Sequence, residues 1–304
     1  MLYGTTTAGG RHGFGTVFAL TPAGGKWTET VLHSFAGNVD AATPYGGLVI
    51  GASGVLYGTT YAGGTAGKGT VFQLTPPASA GSKWNESVLH SFTAGGDGSH
   101  PEAALIMGAG GMLLGTTSAG GTKNFGTVFQ MIPPPGAGGT WTESVLYSFQ
   151  DGDSDGSTPY GPLVMGKNGT LYGTTYLSGL GLNGTVFALH PPGPSGTWQE
   201  TVLYSFANQF GDASRPLGGV AIDSAGALYG TTELGGSSGQ GAVFKLAQTG
   251  PHGQWTEIIL YSFTGGVDGA LPWAGLLLAP SGTLYGTTWS GGAANYGTVF
   301  KLIP

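Results

Sequence analysis

The sequence predicts an all-β fold, a β-propeller of six blades of four-stranded antiparallel sheet, and three observations carry that expectation. The chain repeats itself: Trp27, Trp84, Trp141, Trp198 and Trp255 follow one another at intervals of 57 residues, and Glu29, Glu86, Glu143, Glu200 or Glu257 stands two residues after each. A fixed period of that size marks stacked copies of one supersecondary unit. Every phrase of the unit is short, β-branched or aromatic, and bounded by Gly, Pro, Asn or Asp, as strands and turns are. No stretch offers a helical period long enough to compete.

Four strands account for the unit. Strand a reads Pro-x-Gly-Gly-Leu-Val, as at Pro44. Strand b is Leu-Tyr-Gly-Thr-Thr, beginning at Leu2, Leu56, Leu171, Leu228 and Leu284, with a Leu113-Leu114-Gly115-Thr116-Thr117 variant. Strand c is Gly-Thr-Val-Phe, beginning at Gly15, Gly69, Gly126, Gly184 and Gly297, with Gly241-Ala242-Val243-Phe244 in the remaining copy. Strand d runs from Trp-x-Glu through Val-Leu-(His/Tyr)-Ser-Phe, and an Asp-x-x-x-Pro turn leads on to the next unit: Asp40 to Pro44, Asp97 to Pro101, Asp155 to Pro159, Asp212 to Pro216 and Asp268 to Pro272. Each strand is too short to form a stable layer alone, whereas radial stacking of blades buries their faces and removes most of the exposed edge.

Strands b and c occur six times, a and d five, so blade 1 lacks its strand a and blade 6 its strand d. One propeller domain over residues 1–304 is expected. A five-blade ring that leaves Leu2 to Leu20 unused, or an arc of a longer chain, are the alternatives, and starting and stopping inside a repeat suggests a fragment.

Composition narrows the function. The absence of Cys excludes disulfides, zinc–cysteine clusters and thiol nucleophiles. A net charge of −6 with nine Lys and Arg argues against a nucleic-acid partner, which demands a basic footprint. No apolar run approaches the ~20 residues of a membrane span, and no signal peptide precedes the first strand.

The linked phrases Leu-Tyr-Gly-Thr-Thr, Gly-Gly, Gly-Thr-Val-Phe, Val-Leu-Tyr-Ser-Phe and Asp-Gly-x-x-Pro, in fixed order over the whole chain, closely resemble the GloVer (Gloeo-Verruco) tandem repeat of bacterial proteins, which often carry a surface-anchoring or sorting tail. Pro216 to Tyr229 is also similar, more distantly, to an NHL-type blade. The resemblance implies a propeller and a secreted or cell-surface location. It implies no activity, because propellers serve many unrelated functions.

Function is therefore sought where the copies differ. The Trp, its Glu, the Thr pair and the turn Asp recur in every copy and are read as structural, the Trp packing between blades and the Asp accepting backbone N–H bonds in its turn. His33 and His90, which share a slot with Tyr147, Tyr204 and Tyr261, are read as blade-packing residues. Five acids fall outside the repeated slots: Glu102, Asp151, Asp153, Asp223 and Glu233.

In a propeller the b–c loops and d–a crossovers open on one face. Two variable positions there, the residue after the Pro of strand a and the residue after Thr-Thr, pair blade by blade at a spacing of 16: Tyr45 with Tyr61, Glu102 with Ser118, Tyr160 with Tyr176, Leu217 with Glu233, and Trp273 with Trp289. Aromatic pairs thus occupy blades 2, 4 and 6, and the odd glutamates the blades between. If strands a and b are neighbours in register, each aromatic pair forms one platform. Such platforms suit the apolar faces of sugar rings, with Glu102, Glu233, His100 and Arg215 hydrogen-bonding the hydroxyls. The competing reading makes these aromatics filling between blades.

The expected role is that of a binding or scaffold module with carbohydrate as ligand; a protein-interaction scaffold is one alternative. Glu102 and Glu233 raise another, glycoside cleavage by an acid and a base or nucleophile, although two blades' separation strains the carboxylate spacing that chemistry requires. Asp151-Gly-Asp153-Ser-Asp155-Gly156 resembles the start of a calcium loop, but Pro162 stands where an EF-hand needs Glu, which leaves a weak cation site or an acidic insertion. Gly179 to Gly184 spells G-x-G-x-x-G between two strands, with no helix to receive a phosphate, and is not read as a dinucleotide site.

Overall fold

A computed structural model describes residues 1–79, 82–136, 138–193, 196–207, 211–249 and 253–304. The protein is all-β, a propeller of six blades, and divides into two compact units, Met1–Ser148 and Phe149–Pro304. Each unit holds three blades. Helix among the described residues is limited to the one-turn segments Ala52–Gly54, Ala109–Gly111 and Lys167–Gly169, and no helix there is long and apolar enough to cross a membrane.

In the first unit, blade 1 is three-stranded, Leu2–Thr6, Thr16–Ala23 and Lys26–Ser34, in the order b-c-d. Blade 2 is the full a-b-c-d sheet Val49–Ile50, Leu56–Thr60, Thr70–Thr75 and Asn85–Ser91, and blade 3 repeats it with Ile106–Met107, Leu113–Thr117, Thr127–Ile132 and Thr142–Ser148. In the second unit, blade 4 has Val164–Met165, Leu171–Thr175, Leu182–His190 and Gln199–Ala207, and blade 5 has Ala221–Ile222, Leu228–Thr232, Ala242–Thr249 and Gln254–Ser262. Blade 6 stops at three strands, Leu277–Leu278, Leu284–Thr287 and Val299–Leu302, in the order a-b-c. Both terminal blades are incomplete where the repeat count placed the gap.

Strand a is shorter than expected. In blade 2 only its final residue, Val49, and Ile50 after it join the sheet, because Pro44 has no N–H to give a ladder and the Gly46-Gly47 that follows disfavours regular pairing. The c–d ladder carries a register shift between Val and Phe in all five blades that have both strands, for instance at Val71/Phe72 and Val186/Phe187. Such bulges sharpen the local twist.

The repeated residues explain themselves in these sheets. Gly58 of strand b lies beneath the ring of Phe72, whose Cζ would sit 2.7 Å from an added Cβ. Gly184 opens strand c at φ +92°, where a Cβ would also meet Pro216 Cδ of the next blade at 2.8 Å. The second Thr of strand b shares its hydroxyl with the Thr of strand c, at 2.8 Å for both Thr60–Thr70 and Thr175–Thr185. The first Thr reaches across to the next blade: Thr59 Oγ1 donates to the Ala103 carbonyl at 2.8 Å, and Thr174 Oγ1 to that of Gly218 at 2.9 Å.

Between blades lies the core. The strand-d Phe of one blade meets the strand-c Phe of the next edge to face, with centroids 5.2 Å apart for Phe35–Phe72 and Phe92–Phe129 and 5.3 Å for Phe206–Phe244. Trp84 and Trp141 pack edge-on against Tyr3 and Tyr57 of the preceding blades, the inter-blade role expected of the repeated tryptophan. His33 and His90 sit edge-to-face on Phe35 and Phe92 at 4.8 and 4.7 Å, as Tyr204 and Tyr261 do on Phe206 and Phe263, so that slot is filled by packing groups.

Candidate functional site

One backbone corner, repeated in five blades, builds the candidate site. The turn Asp caps the end of strand d: Asp40, Asp97, Asp155, Asp212 and Asp268 accept the N–H groups of Ala36, Thr93, Gln150, Ala207 and Thr264 at 2.7–2.9 Å. Three residues later the chain enters left-handed backbone just before each Pro, at Thr43, His100, Thr158, Arg215 and Leu271, with φ between +53° and +60°. For β-branched or bulky side chains this conformation is costly and persists only where the surroundings impose it. Here hydrogen bonds on both sides impose it. In blade 5, Arg215 donates its N–H to the Asn183 carbonyl at 2.8 Å, and its own carbonyl accepts the N–H of Glu233 at 2.9 Å. The equivalent second bond joins Tyr61 to Thr43, Ser118 to His100, Tyr176 to Thr158 and Trp289 to Leu271. It ties the residue after Thr-Thr to the chain beside the residue after Pro, and so brings each variable pair together.

The pairs differ in geometry. Tyr45 and Tyr61 meet edge to face, centroids 5.7 Å apart at 81°, and Tyr160 and Tyr176 likewise at 5.4 Å and 70°. Neither forms the flat platform expected from a cross-strand pair, because each pair of rings stands nearly perpendicular. Trp273 and Trp289 do form one, stacked at 4.3 Å and 13°, with Trp289 61% exposed.

In two blade pairs the residue before Pro in the following blade covers the aromatic group. In the first unit His100 lies over Tyr61, centroids 4.5 Å apart, and Glu102 beside it accepts Ser118 Oγ at 2.9 Å. Burial lifts the Glu102 carboxyl above its usual value, against the lowering effect of that hydrogen bond, and burial and Lys68 lower the His100 imidazole. In the second unit Arg215 Cζ lies 5.6 Å from the Tyr176 ring centre, and the Tyr176 hydroxyl donates to Glu233 Oε2 at 2.7 Å. Burial, then the Glu233 carboxylate, push the Tyr176 phenol up, so it remains a neutral donor rather than a nucleophile. Tyr45, Tyr61 and His100 thus match Tyr160, Tyr176 and Arg215 at a constant offset of 115 residues. Glu102 and Glu233 belong to different units, and each is held by a local hydroxyl.

Two of the three aspartates of the calcium-like motif, Asp151 and Asp155, are engaged by the protein. Asp155 is buried and accepts the N–H groups of Gln150 and Gly156 at 2.7 Å, and Asp151 accepts the Ser178 hydroxyl. Among the described residues no group of three or more His, Asp or Glu side chains is placed to hold a metal ion. Asp223 accepts the Ala225 and Ala227 N–H groups and the Tyr229 hydroxyl in its own turn, as a structural residue does.

A profile of the Gloeobacter/Verrucomicrobia repeat matches residues 1–211 and 194–304. The chain belongs to this repeat family. No curated protein sequence matches it. Two crystal structures resemble the Gloeobacter/Verrucomicrobia repeat chain in fold. One is a candidate 6-phosphogluconolactonase from Bacteroides uniformis, at 18% identity and TM-score 0.53, with 99% of this chain and 82% of that one covered. The other is a candidate oxidoreductase, glucose dehydrogenase, from Thermus thermophilus, at 16% identity and TM-score 0.51, with 96% and 91% covered.

The Gloeobacter/Verrucomicrobia repeat also contains an arrangement that reading its two acidic slots separately had missed. The strand-d Glu faces the turn Asp of the preceding blade: Glu86 with Asp40, Glu143 with Asp97, Glu200 with Asp155 and Glu257 with Asp212. Burial, followed by the neighbouring aspartate, raises Glu86 and Glu143 to about 7 and Glu200 to about 8, and Glu257 is raised by the same causes. The constant offset of 45 or 46 residues between partners was the available signal.

Proposed function

We propose that the protein is an extracellular or cell-surface binding module whose ligand is carbohydrate, held at the aromatic corners of blades 2, 4 and 6. The observation that carries this reading is the Trp273–Trp289 stack. Two indoles face to face, one of them 61% exposed, present an outer ring face to solvent on a rigid corner, which is a poor arrangement for inter-blade filling and a good one for the apolar face of a sugar ring. The tyrosine corners add polar groups at the ring edge, Glu102 and Ser118 in one unit and Arg215 and Glu233 in the other, which supply the few oriented donors and acceptors such sites need. A glycan array is expected to show polysaccharide binding, and Trp273→Ala with Trp289→Ala to weaken it at least ~10-fold, an order set by one aromatic contact of about 1.5 kcal/mol. Binding that is absent, or unchanged in the double variant, refutes the stack as a site and leaves a protein-interaction scaffold.

One observation favours a second reading, cleavage of the bound polysaccharide. Burial raises Glu102, as a general acid working near neutral pH requires. If the protein turns over a polysaccharide, Glu102→Gln and Glu233→Gln are each expected to lower kcat at least about 100-fold while leaving the melting temperature unchanged. Turnover that survives both substitutions places the chemistry elsewhere.

A further inference from the structure

Where blades 1 and 2 meet, inside the first unit, lies a cavity of about 300 Å³ that shares no residue with the aromatic corners. Three stretches of chain build it. The b–c loop of blade 1 contributes Arg11 and His12, the end of strand d of the same blade contributes His33 and Ser34, and the residues that lead into strand d of blade 2 contribute Lys83 and Trp84. The frame fixes the walls: Trp84 packs edge-on against Tyr3 with ring centroids 6.3 Å apart, and His33 sits on the buried Phe35. His33, Ser34 and Trp84 are half-buried, whereas Arg11, His12 and Lys83 are exposed at the mouth.

Charge sets this cavity apart. The chain has nine Lys and Arg against fifteen Asp and Glu, yet two of those nine and two of the six His line one cavity. Gathering like charges is unfavourable unless an opposite charge offsets it. Among the described residues no ion pair joins a carboxylate to Arg11, His12 or Lys83; the pairs there are His33 with Asp40 and His90 with Asp97. Asp40 lies 3.9 Å from His33 Nε2, but its two oxygens accept the N–H groups of Ala36 and Ala41, so it serves the turn. The frame does not need the cations either. At the junction of blades 2 and 3 the matching residues are Thr65, Ala66, His90 and Thr140, and at that of blades 4 and 5 they are Leu180, Gly181, Tyr204 and Gln254.

We propose that this cavity binds a tetrahedral oxyanion, the phosphate or sulfate ester of a sugar. Arg11 offers a planar fork of donors that matches two oxygens of such a group, and Lys83 offers a compact point charge. A tetrahedral ester presents three terminal oxygens, enough for both cations and an imidazole, whereas a carboxylate presents two. The His12 and His33 rings and the Ser34 hydroxyl supply the further donors. The Trp84 indole supplies an apolar wall for the ring that carries the ester. The volume stands at the lower end of the range for small-molecule sites, which suits one sugar ring with its ester.

Isothermal titration calorimetry of the full chain tests it, at low ionic strength because salt screens exposed charges. Inorganic phosphate is expected to bind with a Kd below about 1 mM, and a wild type that binds none up to about 10 mM overturns the proposal. Arg11→Gln with Lys83→Gln is expected to weaken phosphate binding at least ~10-fold, the change that follows from losing one hydrogen bond to a charged group. Lys123→Gln, which removes an exposed charge from blade 3, is expected to leave the Kd within about twofold. An unchanged Kd in the double variant, or equal weakening by Lys123→Gln, overturns the proposal. Glucose 6-phosphate and dextran sulfate then compete with phosphate. Displacement by the first identifies a small phosphate ester and displacement by the second a sulfated polymer, each in support, and displacement by neither overturns it. On the wild type, phosphate is expected to shift the nuclear magnetic resonance signals of the His12, His33 and Trp84 rings. If it shifts none of them the proposal fails, whether or not the variants fold.

Discussion

Raising the pH from about 6 to about 9 is expected to lower the melting temperature by roughly 5–10 °C. The cause is the carboxyl pair at each blade junction. A glutamic acid whose pKa is higher in the folded chain than in the unfolded one favours the fold while it is protonated. That contribution is complete below the ordinary value of 4.5 and is lost as the pH rises through about 7 for Glu86 and Glu143 and about 8 for Glu200. Above those values two carboxylates face each other in partly dry surroundings. His33 and His90 act in the opposite sense: burial lowers both below 6.5, so their contribution is present above 6.5 and lost as the pH falls. Stability is therefore greatest in mildly acidic solution and declines on the alkaline side. Glu143→Gln combined with Glu200→Gln, which keeps the shape and removes the charge, is expected to leave the melting temperature near pH 6 almost unchanged and to raise it at about pH 9. A thermal-melt series of both proteins checks this, and a wild-type profile that is flat or rising above pH 7 refutes it.

Phe187→Ala is expected to cost about 3–5 kcal/mol, the range for deleting a buried phenylalanine. The ring is 0% exposed, meets Phe149 edge to face at 5.2 Å, and lies over Gly173 so closely that an added Cβ would sit 2.6 Å from its Cζ. No side chain on the glycine side can fill the void, so the site relaxes little and the cavity remains. Against a total stability of about 5–15 kcal/mol, the variant is expected to be marginal or unfolded at 37 °C. Tyr45→Ala, which removes a ring 55% exposed, is expected to change stability by under about 1 kcal/mol. Denaturant titration of the two variants measures the difference. Equal losses would mean that the corner aromatics belong to the frame after all.

The frame was legible in the sequence because its determinants are local and repeated. Alternation in Leu-Tyr-Gly-Thr-Thr and Gly-Thr-Val-Phe fixes which side chains point inward, and the short polar Asp before Pro announces the turn it caps. The site was legible only as a set of positions. That Tyr45 would touch Tyr61 followed from the constant spacing of 16, but whether a pair stands perpendicular, as the tyrosines do, or parallel, as Trp273 and Trp289 do, is decided by rotamers that pattern does not encode. The left-handed backbone at Thr43, Thr158 and Arg215 was hidden, since none of these residue types favours it and only tertiary hydrogen bonds hold it there. The Glu–Asp pairs were hidden for another reason. Each partner repeats in its own slot and looks self-sufficient, and their meeting is a property of stacked blades rather than of any one blade.

The strained corner before each proline separates what can vary from what cannot. Its shape is held by main-chain donors and acceptors, which every amino acid but proline supplies alike, and in five blades it displays Thr43, His100, Thr158, Arg215 and Leu271 without altering the turn. Mutation at these positions changes the character of the displayed surface while leaving the scaffold's assembly instructions intact. A gene that duplicates such a unit acquires, with each copy, another independently editable display position on an unchanged chassis.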